Sequence, residues 1–228
     1  GIRDAQESRG LGDVYKRQVV AQHDIRLVVK NTIDSLNSMS QQTGVGICYV
    51  AFEQPLKGWF DQEKIEKVLY NIISNALKFT PEGGNIEIKL WTERLEERHF
   101  AFISVKDTGI GISSESIHLI YERFFQVNGN SQSHLGSGIG LAIVKSVVLQ
   151  HKGMIVVSSE RMRGSEFIIA LPVYENCRSN ESAVGNQLLD VRSFIDEQYN
   201  EFEPVKTSSV GGDEPVIDNP DLPTLLLS

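Results

Sequence analysis

Two asparagines and a lysine recur on one side of a strongly amphipathic segment. Asn71, Asn75 and Lys78 are spaced at i, i+4 and i+7, which places them on one face of a helix, away from its apolar stripe. Amide oxygens are hard, neutral ligands suited to Mg2+, and a lysine can neutralise phosphates that share such an ion. Asparagine is a poor helix former, so two in one helix need an explanation, and a solvated face remains the alternative to a binding role.

A second cluster, Asp107-Thr108-Gly109-Ile110-Gly111, follows a predicted strand. A simple turn is one interpretation. The functional one is that the Asp107 carboxylate, which can only accept hydrogen bonds, binds the exocyclic amine of adenine, while the glycines let the backbone approach the ring. Guanine has an oxygen there, and a buried acceptor left unpaired costs about 1 to 3 kcal/mol. The cluster therefore predicts an adenine-selective site.

A glycine-rich segment opens a later predicted helix. It contains Gly136, Ser137, Gly138, Gly140 and Leu141. Free N–H groups at a helix N-terminus can bind phosphate, but neither standard phosphate-binding glycine motif fits this segment. The polar stretch 128–134 before it is typical of a mobile lid. Upstream, Phe124 and Phe125 end a short predicted helix, with core packing of at least one ring as the alternative to a binding role.

The elements that must position these clusters lie between about residues 23 and 174. Apolar periodicity predicts helices over 26–42, 65–76, 114–123 and 139–149. Alternation and turn residues predict strands over 46–52, 86–91, 100–105, 154–158 and 166–172. Helices mixed with hairpin strands in this way indicate an α/β (α+β) fold, with helices layered on one mixed sheet.

Composition excludes several classes of protein. The 228 residues carry a formal net charge of -8, which argues against a nucleic-acid partner. No apolar run approaches the roughly 18 residues of a membrane span, so we expect no membrane contact by this chain. Cys48 and Cys177 are far apart and belong to no zinc or disulfide pattern, which fits a reducing, intracellular setting.

The acidic charge is confined to the end of the chain. Residues 1–174 hold 19 basic and 19 acidic side chains, whereas residues 175–228 hold 3 and 11. We therefore predict a disordered or non-native leader over 1–22, a compact domain over 23–174 and an acidic linker over 175–228. Within the linker, helical spacing of apolar residues predicts a helix over 186–199 that could pack on another surface.

Taken in order, five motifs resemble those of one family. Asn71 to Thr80, Asp107 to Gly111, Glu122 to Phe125 and Gly136 to Lys145 resemble the N, G1, F and G2 boxes of sensor histidine kinases. Gly164-Ser165-Glu166-Phe167 resembles their last glycine box. The resemblance implies the catalytic, ATP-binding domain of a two-component histidine kinase. Its fold would be the GHKL two-layer sandwich, a mostly antiparallel sheet covered by helices on one face.

The resemblance also implies roles for residues. Asn75 would hold Mg2+, assisted by Asn71, and Lys78 would meet the ATP phosphates, which makes Asn75 and Lys78 the candidate catalytic residues. Asp107 would bind the adenine amine. The remaining nucleotide-binding candidates come from the matching boxes: Gly109, Gly111, Phe124, Phe125, Gly136, Ser137, Gly138, Gly140, Leu141 and Ser165.

One departure bears on the reaction. Hydrolytic relatives, such as DNA gyrase, carry a water-activating glutamate where this chain has Asn71. Phosphoryl transfer needs positioning and charge neutralisation more than covalent protein chemistry, so we expect transfer to a histidine. A non-catalytic nucleotide-binding module is the first alternative, and a hydrolytic ATPase is the second.

The partners implied by the resemblance lie on other domains. None of the chain's 5 histidines lies in the family's acceptor pattern, so we expect a separate dimerisation domain to supply the acceptor, and a response regulator or receiver domain to follow. Residues 222–228 resemble the opening strand of a receiver, with an unstructured end as the alternative. The implied location is cytoplasmic, as part of a membrane-anchored sensor.

Overall fold

A computed structural model describes residues 19–95, 98–126, 137–173 and Phe194. Its helices are α1 (Ile25–Thr43), α2 (Gln62–Phe79), α3 (Ser114–Ile117) and α4 (Gly140–Gln150). Its strands are β1 (Ala21–Asp24), β2 (Gly46–Ala51), β3 (Lys57–Phe60), β4 (Asn85–Leu95), β5 (Arg98–Asp107), β6 (Met154–Glu160) and β7 (Gly164–Val173). In this part of the chain, no helix is both long and apolar enough to cross a membrane.

Five strands form one sheet in the order β2-β4-β5-β7-β6. The β2 and β4 strands are parallel, and the other neighbours are antiparallel. The main apolar core lies between one face of this sheet and the helices α1, α2 and α4. The predicted fold class, a mostly antiparallel sheet with helices on one face, is therefore confirmed.

Helix α2 lies at the centre of this core because its apolar stripe is continuous. Its buried residues are Ile65, Val68, Leu69, Ile72, Ile73, Ala76 and Leu77. The helix begins after Asp61, whose side chain accepts a hydrogen bond from the N–H of Lys64 at 3.2 Å. Burial of the stripe fixes the rotation of α2 about its axis. This rotation leaves Asn71, Asn75 and Lys78 outside the core, with Asn71 next to the start of α4.

His151 ties the end of α4 to the start of α2. The Asp61 N–H donates to Nε2 of His151 at 3.1 Å, and Nδ1 lies 2.8 Å from the carbonyl of Val147. Since Nε2 accepts, the ring proton is on Nδ1, which donates to Val147. His151 is buried, and these two hydrogen bonds hold the end of α4 against the start of α2.

Some elements differ from the sequence prediction. The helix predicted over 114–123 ends at Ile117, because the following residues form tighter turns with hydrogen bonds from Leu119 to Ser116 at 2.9 Å and from Glu122 to Leu119 at 2.8 Å. The strands β1 and β3 were not predicted. They form a separate antiparallel ribbon, and β1 contains the predicted domain boundary at residue 22.

Candidate functional site

Asp107 ends β5 with its carboxylate buried. Only 7% of the residue is exposed, and Oδ1 accepts hydrogen bonds from the N–H groups of Gly109 at 2.8 Å and Ser165 at 3.2 Å. Both bonds reach the same oxygen. Across residues 19–95, 98–126 and 137–173, no donor is assigned to Oδ2, which is left to accept from a ligand.

The surroundings of Asp107 set its electrostatics. Burial raises the pKa of the Asp107 carboxyl, while the N–H groups of Gly109 and Ser165 act in the opposite direction. A ligand donor at Oδ2 would favour the ionised form further. The geometry therefore fits a ligand that presents a hydrogen-bond donor and no acceptor at this point.

Two glycines allow the backbone to close around this carboxylate. A Cβ on Gly109 would lie 2.6 Å from the carbonyl oxygen of Phe79, at the end of α2. Gly164 has a φ of +95°, and its Cβ would lie 2.0 Å from the carbonyl oxygen of Asp107. The loop after β5 and the start of β7 therefore need glycine at these points to hold Asp107 in place.

The loop after β5 is also fixed to α2 and to β6. The N–H of Ile110 donates to the carbonyl of Phe79 at 3.1 Å. Gly111 lies against the carbonyl of Glu160 at the end of β6. This glycine loop is thus held between the helix that carries the asparagines and the hairpin that carries Ser165.

The polar face of α2 meets the start of α4. Asn71 donates from Nδ2 to the carbonyl of Lys67 at 2.7 Å, and its Oδ1 lies where a Cβ on Gly140 would approach to 2.7 Å. Asn75, one turn further along, is half-buried. The structure therefore brings Gly140 of the glycine-rich segment into contact with Asn71. Residues predicted to bind metal and phosphate thus lie next to each other.

Lys78 lies in the last turn of the same helix. Its Nζ is 5.0 Å from the centroid of the Phe79 ring. Burial lowers the pKa of the Lys78 ammonium. A partly desolvated ammonium gains from an anion nearby, so its position fits a contact with phosphate.

Phe124 and Gly138 lie on either side of the segment 127–136. This segment, which includes the predicted site residue Gly136, lies outside the described residues. The N–H of Phe124 donates to the carbonyl of Gly138 at 2.9 Å. Phe124 is 72% exposed, whereas Phe125 packs against the main core. Core packing, the alternative for at least one of these rings, therefore holds for Phe125.

The other predicted site residues have different surroundings. Ser137 is exposed, and Leu141 is half-buried and packs against the main core. Ser165 is buried and contributes its backbone N–H to Asp107. The nucleotide contacts predicted for these three residues stay predictions.

Sequence reasoning missed two supports of the site. The N–H of Asn85 donates to Oγ1 of Thr108 at 3.0 Å, and the N–H of Thr108 donates to the carbonyl of Asn85 at 3.1 Å. Oγ of Ser159 accepts from the N–H of Ile112 at 2.8 Å and lies 3.0 Å from Oγ of Ser165. No local pattern marks these residues, because their partners are distant in sequence.

Comparison with known families agrees with this geometry. Residues 60–175 match the model of the family described as histidine kinase-, DNA gyrase B- and HSP90-like ATPases. The chain belongs to this family. The match includes both asparagines, the loop after Asp107 and the last glycine box, and membership supports ATP as the ligand.

Curated relatives place the domain within the family. Sensor histidine kinase WalK of Bacillus subtilis is 42% identical over 116 residues, which cover 50% of this chain and 19% of WalK. Sensor histidine kinase CusS of Escherichia coli K12 is 34% identical over 145 residues, which cover 63% of this chain and 29% of CusS. The domain is thus of the histidine kinase catalytic type, and the chain spans less than a third of each of these relatives.

Solved structures share the fold. The mycobacterial sensor histidine kinase MprB superposes with a TM-score of 0.58 at 28% identity, covering 68% of this chain and 98% of the MprB chain. The catalytic domain of histidine kinase ThkA, at 22% identity and a TM-score of 0.59, supports the fold alone. It covers 68% of this chain and 96% of that domain.

Replacing Gly164 with alanine tests whether close packing holds Asp107. Gly83 is a matched control, because its φ is +81° but a Cβ there would meet nothing within 4 Å. We expect Gly83→Ala to cost about 1 to 2 kcal/mol of unfolding free energy, from the left-handed backbone alone. Gly164→Ala should cost at least twice as much as the control in urea unfolding, because it also displaces the Asp107 carbonyl. Equal losses would contradict the packing argument.

Proposed function

We propose that this domain binds Mg-ATP and transfers the γ-phosphoryl group to a histidine on a separate domain, as the catalytic lobe of a sensor histidine kinase. The observation that carries the proposal is the buried carboxylate of Asp107, with Oδ1 occupied by two backbone N–H groups. Family membership makes ATP the natural donor for that site. The crystal structure of full-length ShkA in complex with AMPPNP, at 25% identity, supports the same class of ligand.

Asp107 selects adenine because its free oxygen can only accept. The exocyclic amine of adenine donates to Oδ2, whereas guanine would present an oxygen and leave two acceptors facing each other. The backbone N–H groups of Gly109 and Ser165 prevent the carboxylate from turning away from the mismatch. The close approach of Gly109 to the carbonyl of Phe79 keeps the loop after β5 fixed beside Asp107.

The polar face of α2 receives the phosphate end of the nucleotide. Asn75, with Asn71 beside it, would hold Mg2+ through amide oxygens, and Lys78 would contact phosphate. Mg2+ supplies charge neutralisation on the phosphate oxygens when it is bound. Gly138 and Gly140 line the start of α4, where free backbone N–H groups can donate to phosphate.

Transfer is favoured over hydrolysis by the chemistry of Asn71. An amide does not take a proton from water at neutral pH, and Nδ2 of Asn71 already donates to the carbonyl of Lys67 at 2.7 Å. The side chain can therefore orient ligands without activating water. The histidine kinase relatives support the same reaction.

The acceptor histidine is proposed to lie on a dimerisation domain of the same or a partner chain. Among the described histidines, His151 is buried between helices, and the His23 ring lies 5.5 Å from the ring of Phe60 in the β1–β3 ribbon. A response regulator or receiver domain is the proposed next partner. The need for ATP supports a cytoplasmic location.

Replacing Asp107 with asparagine tests adenine selection. Because Gly109 and Ser165 donate to the Oδ1 position, the amide oxygen of Asp107→Asn must occupy it, and the amide NH2 must face the base. We expect ATP affinity to fall about tenfold or more, and the ratio of ATP to GTP affinity to fall by at least as much.

Isothermal titration with both nucleotides provides the measurement, and Asp34→Asn on the exposed side of α1 is the matched control. The control should bind both nucleotides like the parent chain. An unchanged ATP to GTP ratio in Asp107→Asn would exclude Asp107 as the residue that recognises the base.

A phosphotransfer assay tests the reaction. The chain is mixed with the histidine-bearing dimerisation domain of its full-length protein, Mg2+ and γ-labelled ATP, and acid-labile phosphohistidine is counted. We expect label on the added domain and none on this chain.

Asn75→Ala should lower Mg-dependent ATP affinity at least about tenfold, the scale at which even outer-sphere groups affect metal binding.

The matched control for that variant is Asn37→Ala, on the exposed side of α1, which should retain full transfer. Release of phosphate without phosphohistidine would instead identify a hydrolytic ATPase. Nucleotide binding without either product would identify a non-catalytic binding module. Rapid labelling of a histidine in the isolated chain would contradict the need for a separate acceptor domain.

A further inference from the structure

The face of the sheet opposite the helices carries a second apolar cluster. Its central side chains are almost fully buried: Phe100 (4% exposed), Phe102 (0%), Ile168 (2%) and Ala170 (0%). Trp91, Leu95, Met154 and Val156 pack around them from β4 and β6. Helices α1, α2 and α4 lie on the other side, so these helices do not account for the burial.

Neighbouring strands alone do not bury the centre of an open sheet face. Side chains stand roughly perpendicular to a sheet, so a ring at 0% exposure needs cover from above. Phe194 is the described residue that provides such cover. Its ring lies 5.5 Å from the ring of Phe102 at an interplanar angle of 49°, in a tilted aromatic contact.

The cluster ends where the face becomes charged. Further along the same strands, Oγ of Ser104 donates to Glu166 at 2.7 Å, and Lys106 pairs with Glu166 at 3.6 Å. These residues lie between the apolar cluster and the Asp107 end of β5. Phe102 is about 16 Å along the strand from Asp107, so the apolar cluster is separate from the proposed nucleotide site.

The sequence around Phe194 fits this surface. The spacing of Leu188, Val191 and Ile195 would place them in one stripe with Phe194 if the segment forms a helix. The segment 186–199 holds one basic and three acidic residues, and Arg98 lies on the same face of β5 as Phe100 and Phe102. The 20 residues between Val173 and Phe194 give the chain ample length to return from the end of β7.

We propose that the segment 186–199 docks as an amphipathic helix on this outer face of the sheet, with Phe194 seated on Phe102. The docked segment fixes where the chain leaves the domain. The acidic linker is then anchored for part of its length. Docking does not use the residues proposed to bind ATP.

Trp91 provides a probe within the cluster. Its ring stacks on Phe102 at 5.3 Å and 17°, and the chain has only one other tryptophan, Trp59. The experiment uses the full chain with Trp59→Phe, so that emission reports Trp91 alone. Phe194→Ala is compared with the matched control Phe202→Ala, which changes the same residue type outside the segment.

We expect Phe194→Ala to move Trp91 emission to longer wavelength and to increase its quenching by acrylamide. Hydrogen exchange of the amides in 186–199 should speed up at least about tenfold, as expected for the loss of a partly buried aromatic ring. Phe202→Ala should change neither, and ATP affinity should be the same in both variants.

Three results would overturn the proposal. The first is exchange of the 186–199 amides at free-peptide rates in the parent chain. The second is Trp91 emission and exchange that do not respond to Phe194→Ala. The third is protection of Trp91 that depends on protein concentration, because a second copy of the chain would then be the occupant of the face.

Discussion

The carboxylate of Asp107 is buried at the end of β5, where burial makes hydrogen-bond donors necessary. Two come from the backbone N–H groups of Gly109 and Ser165, which belong to the following loop and to β7. Both reach Oδ1, which leaves Oδ2 as the oxygen proposed to accept from a ligand. The close packing of Gly109 and Gly164 follows from this arrangement, since larger residues would push the donors away.

Helix α2 connects the loop after Asp107, where the base is proposed to bind, to the polar face proposed to hold phosphate and metal. Its last turn accepts the hydrogen bond from Ile110 through the carbonyl of Phe79. Its middle turn places Asn71 against Gly140 at the start of α4, and its N-cap residue Asp61 is tied to the end of α4 by His151. A single buried helix therefore sets the spacing between the parts of the site.

Sequence alone predicts the parts of this structure that depend on local pattern. The apolar stripe predicts α2 and the face that holds Asn71, Asn75 and Lys78, because burial of a periodic stripe fixes the rotation of a helix. Alternation predicts the strand that leads to Asp107, and the adenine role proposed for its carboxylate is inferred from residue type. The resemblance to histidine kinases adds the fold and the family, and the family match over residues 60–175 confirms both.

What sequence could not predict depends on contacts between distant residues. The β1–β3 ribbon consists of strands of four residues each, too short for alternation to be read, and is defined by pairing across the chain. The early end of α3 has a local cause, since apolar periodicity does not distinguish the tighter turns after Ile117 from a helix. Which of Phe124 and Phe125 packs inward depends on the main core. The support given by Ser165 to Asp107 spans 58 positions and becomes visible only in three dimensions.

The central claim is that one oxygen of Asp107 accepts a hydrogen bond from the exocyclic amine of adenine. Titration of the parent chain with ATP and with purine riboside triphosphate, which lacks only that amine, measures this bond without altering the protein. We predict that the analogue binds about tenfold or more weakly, because it leaves a buried acceptor unpaired. Equal affinities for the two nucleotides would contradict the account.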